Sequence, residues 1–303
     1  PEEAFRKSIF SPRSTSGQSV WRARPGKSPT ARLRWMSLLT DLEGFQMCEL
    51  MAVSSDEKIN VNAWLKKFFA RGAEMPNGWG LARICGNSVS LEKEPRRADR
   101  STYLHERMTS DIVESRVIAH IRLATKGNDT YDNSHPFVLQ DLTGRQWTFA
   151  HNGTIFHGDF DRRFCSIQKG KTDSERIFLY ILSRINEETE TRGRELNQEE
   201  RFSLLDDITH FITPGNKMNF LLCDGELMYV HRNSEEGLFR CRKNGAQVFS
   251  TVPLDGDNWK LVPQNTLLAY EGSCKVFTGT PHENTYIQTE EDLKSLFLDY
   301  SAL

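Results

Sequence analysis

The stretch "GFQMCELMAV", residues 44–53, is where this chain changes character. Before it, "SPRSTSGQSVWRARPGKSPTARLRW" is rich in Arg, Ser, Pro and Gly and has no sustained hydrophobic period. After it, apolar residues recur with strand and helix spacing, beginning with the short apolar strand "CELMAV". The question is whether Cys48 is an internal cysteine or the first residue of the working protein. Residues 1–47 read as a disordered leader, as a translated upstream region ahead of a misplaced start, as a targeting segment, or as a propeptide. Met47 offers a start directly before the ordered part, and no apolar stretch suits a secretory signal.

The 303 residues suffice for a substantial core. With 38% hydrophobic and 26% charged residues, the composition is that of an ordinary soluble protein. A net charge of −2 gives no electrostatic case for nucleic acid or a membrane surface as the main partner. No apolar run approaches the roughly 18 residues a membrane helix needs. The six cysteines (Cys48, Cys85, Cys165, Cys223, Cys241 and Cys274) form no CxxC pair, so no zinc site is expected. The expectation is a reducing, cytoplasmic compartment with mostly inert thiols, one of which differs. No metal and no cofactor is called for.

Beyond Cys48, "INVNAWLKKFFARG" has the spacing of a helix closed by Gly72, and "WGLARICGNSVSLEKE" that of a hairpin turning at Gly86-Asn87. "SRVIAHIRLAT" and "RQWTFAHNGTI" alternate as strands. "TDSERIFLYILSRINEE" is helical with Thr172 or Asp173 at its start, and "QEERFSLLDDITHFITP" is a helix stopped by Pro214. "MNFLLCDGELMYVHR" is a hairpin at Asp224-Gly225, "AQVFSTVPL" a strand, "TLLAYEGSCKVFT" a further hairpin, and "TEEDLKSLFLDY" a closing helix. Strands, two helices, then strands again suggest antiparallel sheets layered with helices: an α+β protein with one catalytic domain over residues 48–303.

The chain has no GxSxG elbow, no Gly-rich phosphate loop and no HExxH, and its eight histidines lack metal-ligand spacing. Four polar clusters interrupt the strand pattern: "HIRLATKG" (120–127), "NSHPF" (133–137), "AHNG" (150–153) and "KTDSE" (171–175). Singly each is weak: an edge arginine, a turn, a helix cap. In this order after a Met-Cys pair they are specific. The segment from Cys48 to about Thr278 resembles a class II glutamine amidotransferase domain, and more narrowly the stand-alone bacterial members that open "MCEL".

That resemblance implies a four-layer αββα N-terminal-nucleophile hydrolase fold with two central antiparallel sheets. It implies that Cys48, freed by removal of Met47, is the nucleophile. Arg122 then matches the glutamine-binding arginine, Asn152 and Gly153 the oxyanion-hole pair, and Asp173 the acceptor of the glutamine α-ammonium. Thr125 falls beside the glutamine carboxylate. Trp79 in "NGWG" and His135 in "NSHPF" fall on recurrent positions near the site. One departure is visible: relatives often carry Asp where this chain has Asn77.

The chemistry supports the same residues. A cysteine thiol with a pKa near 8.5 is only a few per cent thiolate at pH 7 and needs a base. An N-terminal amine, with a pKa of about 7.7–8.0, can accept that proton, whereas an amide nitrogen cannot. The α-carboxylate of glutamine suits a bidentate arginine, and the oxyanion formed on attack suits an Asn amide and a Gly N–H. Three functions follow. One is a glutamine amidohydrolase delivering ammonia to an acceptor enzyme. Another is a hydrolase of other γ-glutamyl amides or γ-glutamyl thiol compounds. The third is a non-catalytic regulatory protein that keeps the fold.

Overall fold

The computed structural model describes residues 48–124, 128–235 and 237–292. The closing helix anticipated from "TEEDLKSLFLDY" lies mostly outside them, as do the 1–47 leader and Thr125.

Two antiparallel sheets form the frame. The first has the order β11-β9-β10-β1-β4-β2-β3. Its strands are β1 (Glu49–Asn60), β2 (Trp79–Cys85), β3 (Ser88–Glu94), β4 (Val113–Ile121), β9 (Phe239–Lys243), β10 (Ala246–Ser250) and β11 (Lys260–Leu261). The second has the order β13-β12-β8-β7-β6-β5. It is built from β5 (Phe137–Gln140), β6 (Gln146–Thr154), β7 (Lys217–Cys223), β8 (Leu227–His231), β12 (Leu268–Glu271) and β13 (Cys274–Thr278).

Side-chain alternation along β1 explains the layering. Leu50 and Ala52 enter a cluster with Ala150, Leu221, Met228 and Val230 of the second sheet. Met51 and Val53 face the opposite way, into a cluster with Trp64, Leu65, Phe68 and Phe69 of helix α1 (Asn62–Ala70). A short helix, α2 (Thr102–Arg107), adds Leu104 to that outer layer. Beyond the second sheet, α3 (Asp173–Arg192) and α4 (Gln198–Ile212) cover Trp147, Phe149 and Phe220. The result is helix–sheet–sheet–helix, with three apolar clusters filling the three interfaces.

The hairpin at Gly86-Asn87, the Asp224-Gly225 turn and both long helices fall where the sequence places them. Thr172 caps α3 by accepting the Glu175 N–H, and Asn197 with Glu200 forms a capping box on α4. Gly72 departs from expectation. It does not end α1 in a left-handed turn; the chain runs on as a 3-10 turn through Glu74. Its lack of a side chain serves packing instead, because a Cβ there would lie 2.6 Å from Ala98 Cβ. β5, β9 and α2 were not anticipated; they are short, and β9 carries alternating charge rather than an apolar face.

Candidate active site

Cys48 sits immediately before β1, half-buried. Its position is held from both sides. Thr251 Oγ1 accepts the Leu50 N–H at 3.3 Å, and Arg71 grips the buried Glu49 carboxylate through Nε at 2.7 and 2.8 Å. The thiol donates to the Leu123 carbonyl at 3.1 Å, and the Leu123 N–H points back at Sγ at 3.3 Å. Burial raises the thiol pKa; the Leu123 N–H, Arg122 and Lys217 oppose that shift. Two cations and a backbone donor therefore favour the thiolate in a place where burial disfavours it.

Arg122 follows β4 and is itself buried. Its Nη1 donates to Asp129 Oδ1 at 3.0 Å and to the Asn128 carbonyl at 3.3 Å. Asn77 completes this corner. Its Nδ2 donates to both Asp129 oxygens at 2.9 and 3.0 Å, while its Oδ1 accepts the Ala124 N–H at 2.9 Å. The departure at position 77 has a local reason: an aspartate there would set one carboxylate against another.

Asn152 and Gly153 lie near the end of β6. β5 stops opposite Phe149, so this part of β6 extends past its neighbour. Asn152 is buried, and its Oδ1 has no hydrogen-bond partner among the described residues. Gly153 admits no side chain, since a Cβ would sit 1.9 Å from the Lys217 carbonyl and 2.4 Å from His151 Nε2.

Asp173 opens α3 and clasps the chain just after β6. Its Oδ2 accepts the Ile155 N–H at 2.9 Å and its Oδ1 the Ser174 N–H at 2.8 Å. His151 links the strand to the helix and to β7, with Nδ1 3.0 Å from Ser174 Oγ and Nε2 2.9 Å from the Lys217 carbonyl. Burial pushes this imidazole down, with Asp173 opposing. Lys217 is thus the junction: its backbone meets His151 and crowds Gly153, and its charge reaches Cys48. Sequence reasoning missed Lys217, because "KMNF" reads only as the start of a strand. A buried lysine is unusual enough to be a signal, but burial is not visible in the sequence.

Trp79 and His135 are the other two residues that the resemblance places near the site. Trp79 is fully buried, bonds Glu94 through Nε1 at 3.2 Å and packs edge-on against Phe69. It secures the turn whose Gly78 carbonyl accepts the Arg122 N–H at 2.8 Å. His135 is buried with Nδ1 3.0 Å from His120 Nε2, and its backbone lies so close to Gly80 that a Cβ there would be 2.1 Å from its carbonyl. Both side chains are engaged by protein groups, Glu94 and Phe69 for Trp79 and His120 for His135. Among the described residues no cluster of His, Cys, Asp and Glu could hold a metal ion, and no helix is long and apolar enough to cross a membrane. All six cysteines are free thiols.

The layered pair of antiparallel sheets, with the polar groups gathered at the start of β1 and the ends of β4 and β6, is the N-terminal-nucleophile hydrolase architecture. Residues 47–244 match the family model described as glutamine amidotransferases class-II, and the chain belongs to that family. It is 34% identical over 190 residues to an uncharacterized protein of Methanocaldococcus jannaschii, covering 62% of this chain and 51% of that one. It is 28% identical over 189 residues to a Haemophilus influenzae protein named "Putative glutamine amidotransferase", covering 61% and 63%. The matched region thus spans between half and two thirds of these relatives. Among solved structures, the glutamine phosphoribosylpyrophosphate amidotransferase of B. subtilis aligns with a TM-score of 0.59 at 14% identity, covering 78% of this chain and 50% of that one. At that identity the likeness speaks for the fold alone.

Proposed function

We propose that this protein hydrolyses the side-chain amide of glutamine, with Cys48 as nucleophile. The observation that carries the reading is the setting of the thiol. It is half-buried at the head of a central strand, bonded to the Leu123 backbone and flanked by the charges of Arg122 and Lys217. With Met47 removed, the α-amine of Cys48 takes the thiol proton and Sγ attacks the amide carbon. The oxyanion is received by the Asn152 amide and the Gly153 N–H. Collapse expels ammonia, which takes up the proton, and leaves a γ-glutamyl thioester. Water then adds to the thioester, with the amine relaying its proton, and glutamate leaves.

The ground-state contacts are assigned by charge. The Arg122 guanidinium, which already meets a carboxylate in Asp129, receives the substrate α-carboxylate. Asp173 offers its remaining lone pairs to the α-ammonium. Thr125 is proposed to lie beside the carboxylate. Trp79 and His135 hold the wall. An acceptor enzyme for the ammonia is part of this proposal. The same four groups would also read the γ-glutamyl end of other amides, so the substrate is settled by assay. Protein beginning at Cys48 should release glutamate from glutamine, and Cys48→Ser should remain folded while losing most of that turnover. Wild-type rates in Cys48→Ser would remove the nucleophile assignment. Faster release from a γ-glutamyl amide panel than from glutamine would move the substrate to that class.

A further inference from the structure

Away from Cys48, the two sheets part at one edge and leave a cavity of about 470 Å³. Arg240, Arg242, Lys243, Lys260 and Lys275 line it, against one carboxylate, Asp257. The strand register explains the convergence. Arg240 and Arg242 alternate onto the same face of β9, and Lys260 of β11 pairs directly with Arg240. That face looks toward the second sheet. Phe249, the cross-strand partner of Arg240, packs edge-on against Tyr270 at 4.9 Å. Arg240 Nη1 donates to Tyr270 Oη at 3.1 Å and Arg242 Nη2 to Ser273 Oγ at 3.2 Å. Lys275 enters from β13 as the partner of Tyr270.

Hydroxyls orient both guanidinium groups; the Ser273 hydroxyl in turn donates to Asp56 Oδ2 at 2.8 Å, so Asp56 stands one hydrogen bond away from Arg242 without bonding it directly. Lys243 is bonded to Asp257 and lies 3.6 Å from Asp255, whereas no described carboxylate forms an ion pair with Arg240, Arg242, Lys260 or Lys275. Arg240 Nε is buried without a partner. Like charges set opposite one another across a ladder are destabilising unless an anion joins them. The whole chain carries a net charge of −2, so this concentration of positive charge is local.

We propose that this cavity binds a small organic phosphate carrying two or more phosphoryl groups. Arginine forks match phosphate oxygens, and the flanking lysines supply the remaining charge. The volume falls within the range of small-ligand sites and is confined between two sheet edges, which does not suit a nucleic-acid duplex. The ligand is separate from the amide substrate. The β1–β10 register puts Gln247, which lines the cavity, beside Ser54, and Ser54 lies roughly 20 Å along β1 from Cys48.

Calorimetric titration of the full chain with inorganic pyrophosphate and with ADP, at constant ionic strength, tests this. Saturable binding of either probe is expected, with ADP exceeding pyrophosphate if the nucleoside adds contacts. Lys260 and Lys275 are exposed and Lys260 sits opposite Arg240, so the double variant K260E/K275E should melt at or above the melting temperature of the parent. It should weaken binding by about tenfold or more through charge reversal. Arg242→Gln, which retains a donor for Ser273, should weaken it as well. Three results would overturn the proposal: no heat with either probe at millimolar concentration, equal affinity in parent and variants, or an oligonucleotide binding more tightly than ADP at the same residues.

Discussion

At Cys48 the balance between burial and charge sets reactivity. Lys217→Met removes one of the two cations that oppose the upward shift of the thiol. The thiol pKa should rise, and alkylation by iodoacetamide at pH 7 should slow by about two- to tenfold if the shift is a fraction of a unit to one unit. An unchanged pH profile of alkylation would remove Lys217 from the site. Asn152→Ala should lower kcat by about 10²–10³ with KM little changed, because its amide would act only once the oxyanion exists. Asn77→Asp places a carboxylate against Asp129, beside the guanidinium proposed to bind substrate. KM should rise, and Asp129→Asn in the same chain should restore it; failure of that rescue would dissociate Asn77 from substrate binding. Cys48, Asn152 and Asp173 are singled out by motifs that are weak one by one and specific in order, since few residue types perform the chemistry proposed for them. Lys217 is not, since its role depends on burial beside a thiol that lies 169 positions earlier (217 minus 48).

The elements exist to bring those residues together. Helix α3 presents Asp173 from its first turn, and the Thr172 cap fixes where that turn begins. Thr172→Ala should cost about 1 kcal/mol, measured by denaturant unfolding, and should raise KM by loosening Asp173. Phe178, fully buried and stacked on Phe149 at 5.3 Å, anchors the same helix to the strand bearing Asn152 and Gly153. Phe178→Ala should cost about 3–5 kcal/mol and shift the unfolding midpoint accordingly. Hydrophobic period and capping residues made both long helices and the main hairpins readable. β5 and β9 were not readable, because a strand of four or five residues is chosen by the neighbours it pairs with. For Trp79 and His135 the motif does not reveal burial, which comes from the place of Trp79 in β2 and the packing of His135 against Gly80.

Over the whole molecule, burial of histidine dominates the expected response to acid. Burial, aided by Arg122, pushes His120 down to about 3. Burial likewise brings His231 to about 3 and His282 to about 4, and holds His135 well below its ordinary value. In the unfolded chain these imidazoles bind protons near pH 6.5. Between there and their folded values, the unfolded state binds more protons, so stability rises with pH in that window and is lost on acidification. The denaturant midpoint should fall steadily from pH 7 to pH 4, and a flat profile would mean these rings are solvated. The charge distribution carries a parallel lesson: a chain of net charge −2 still gathers five cations into one cavity.

Read alone, the residues pointed to the family and to the two-sheet layering. Motif order, strand alternation and cap chemistry are local properties that survive without coordinates. The geometry added what depends on distant segments meeting: the Lys217 junction, the Asn77–Asp129–Arg122 corner, the burial of Trp79 and His135, and the basic cavity. The physical reason is register. Antiparallel pairing decides which strand side chain faces which neighbour and where the loops carrying Asn77, Arg122 and Asp129 leave the sheets, and a shift of one residue would send the strand residues to the other face.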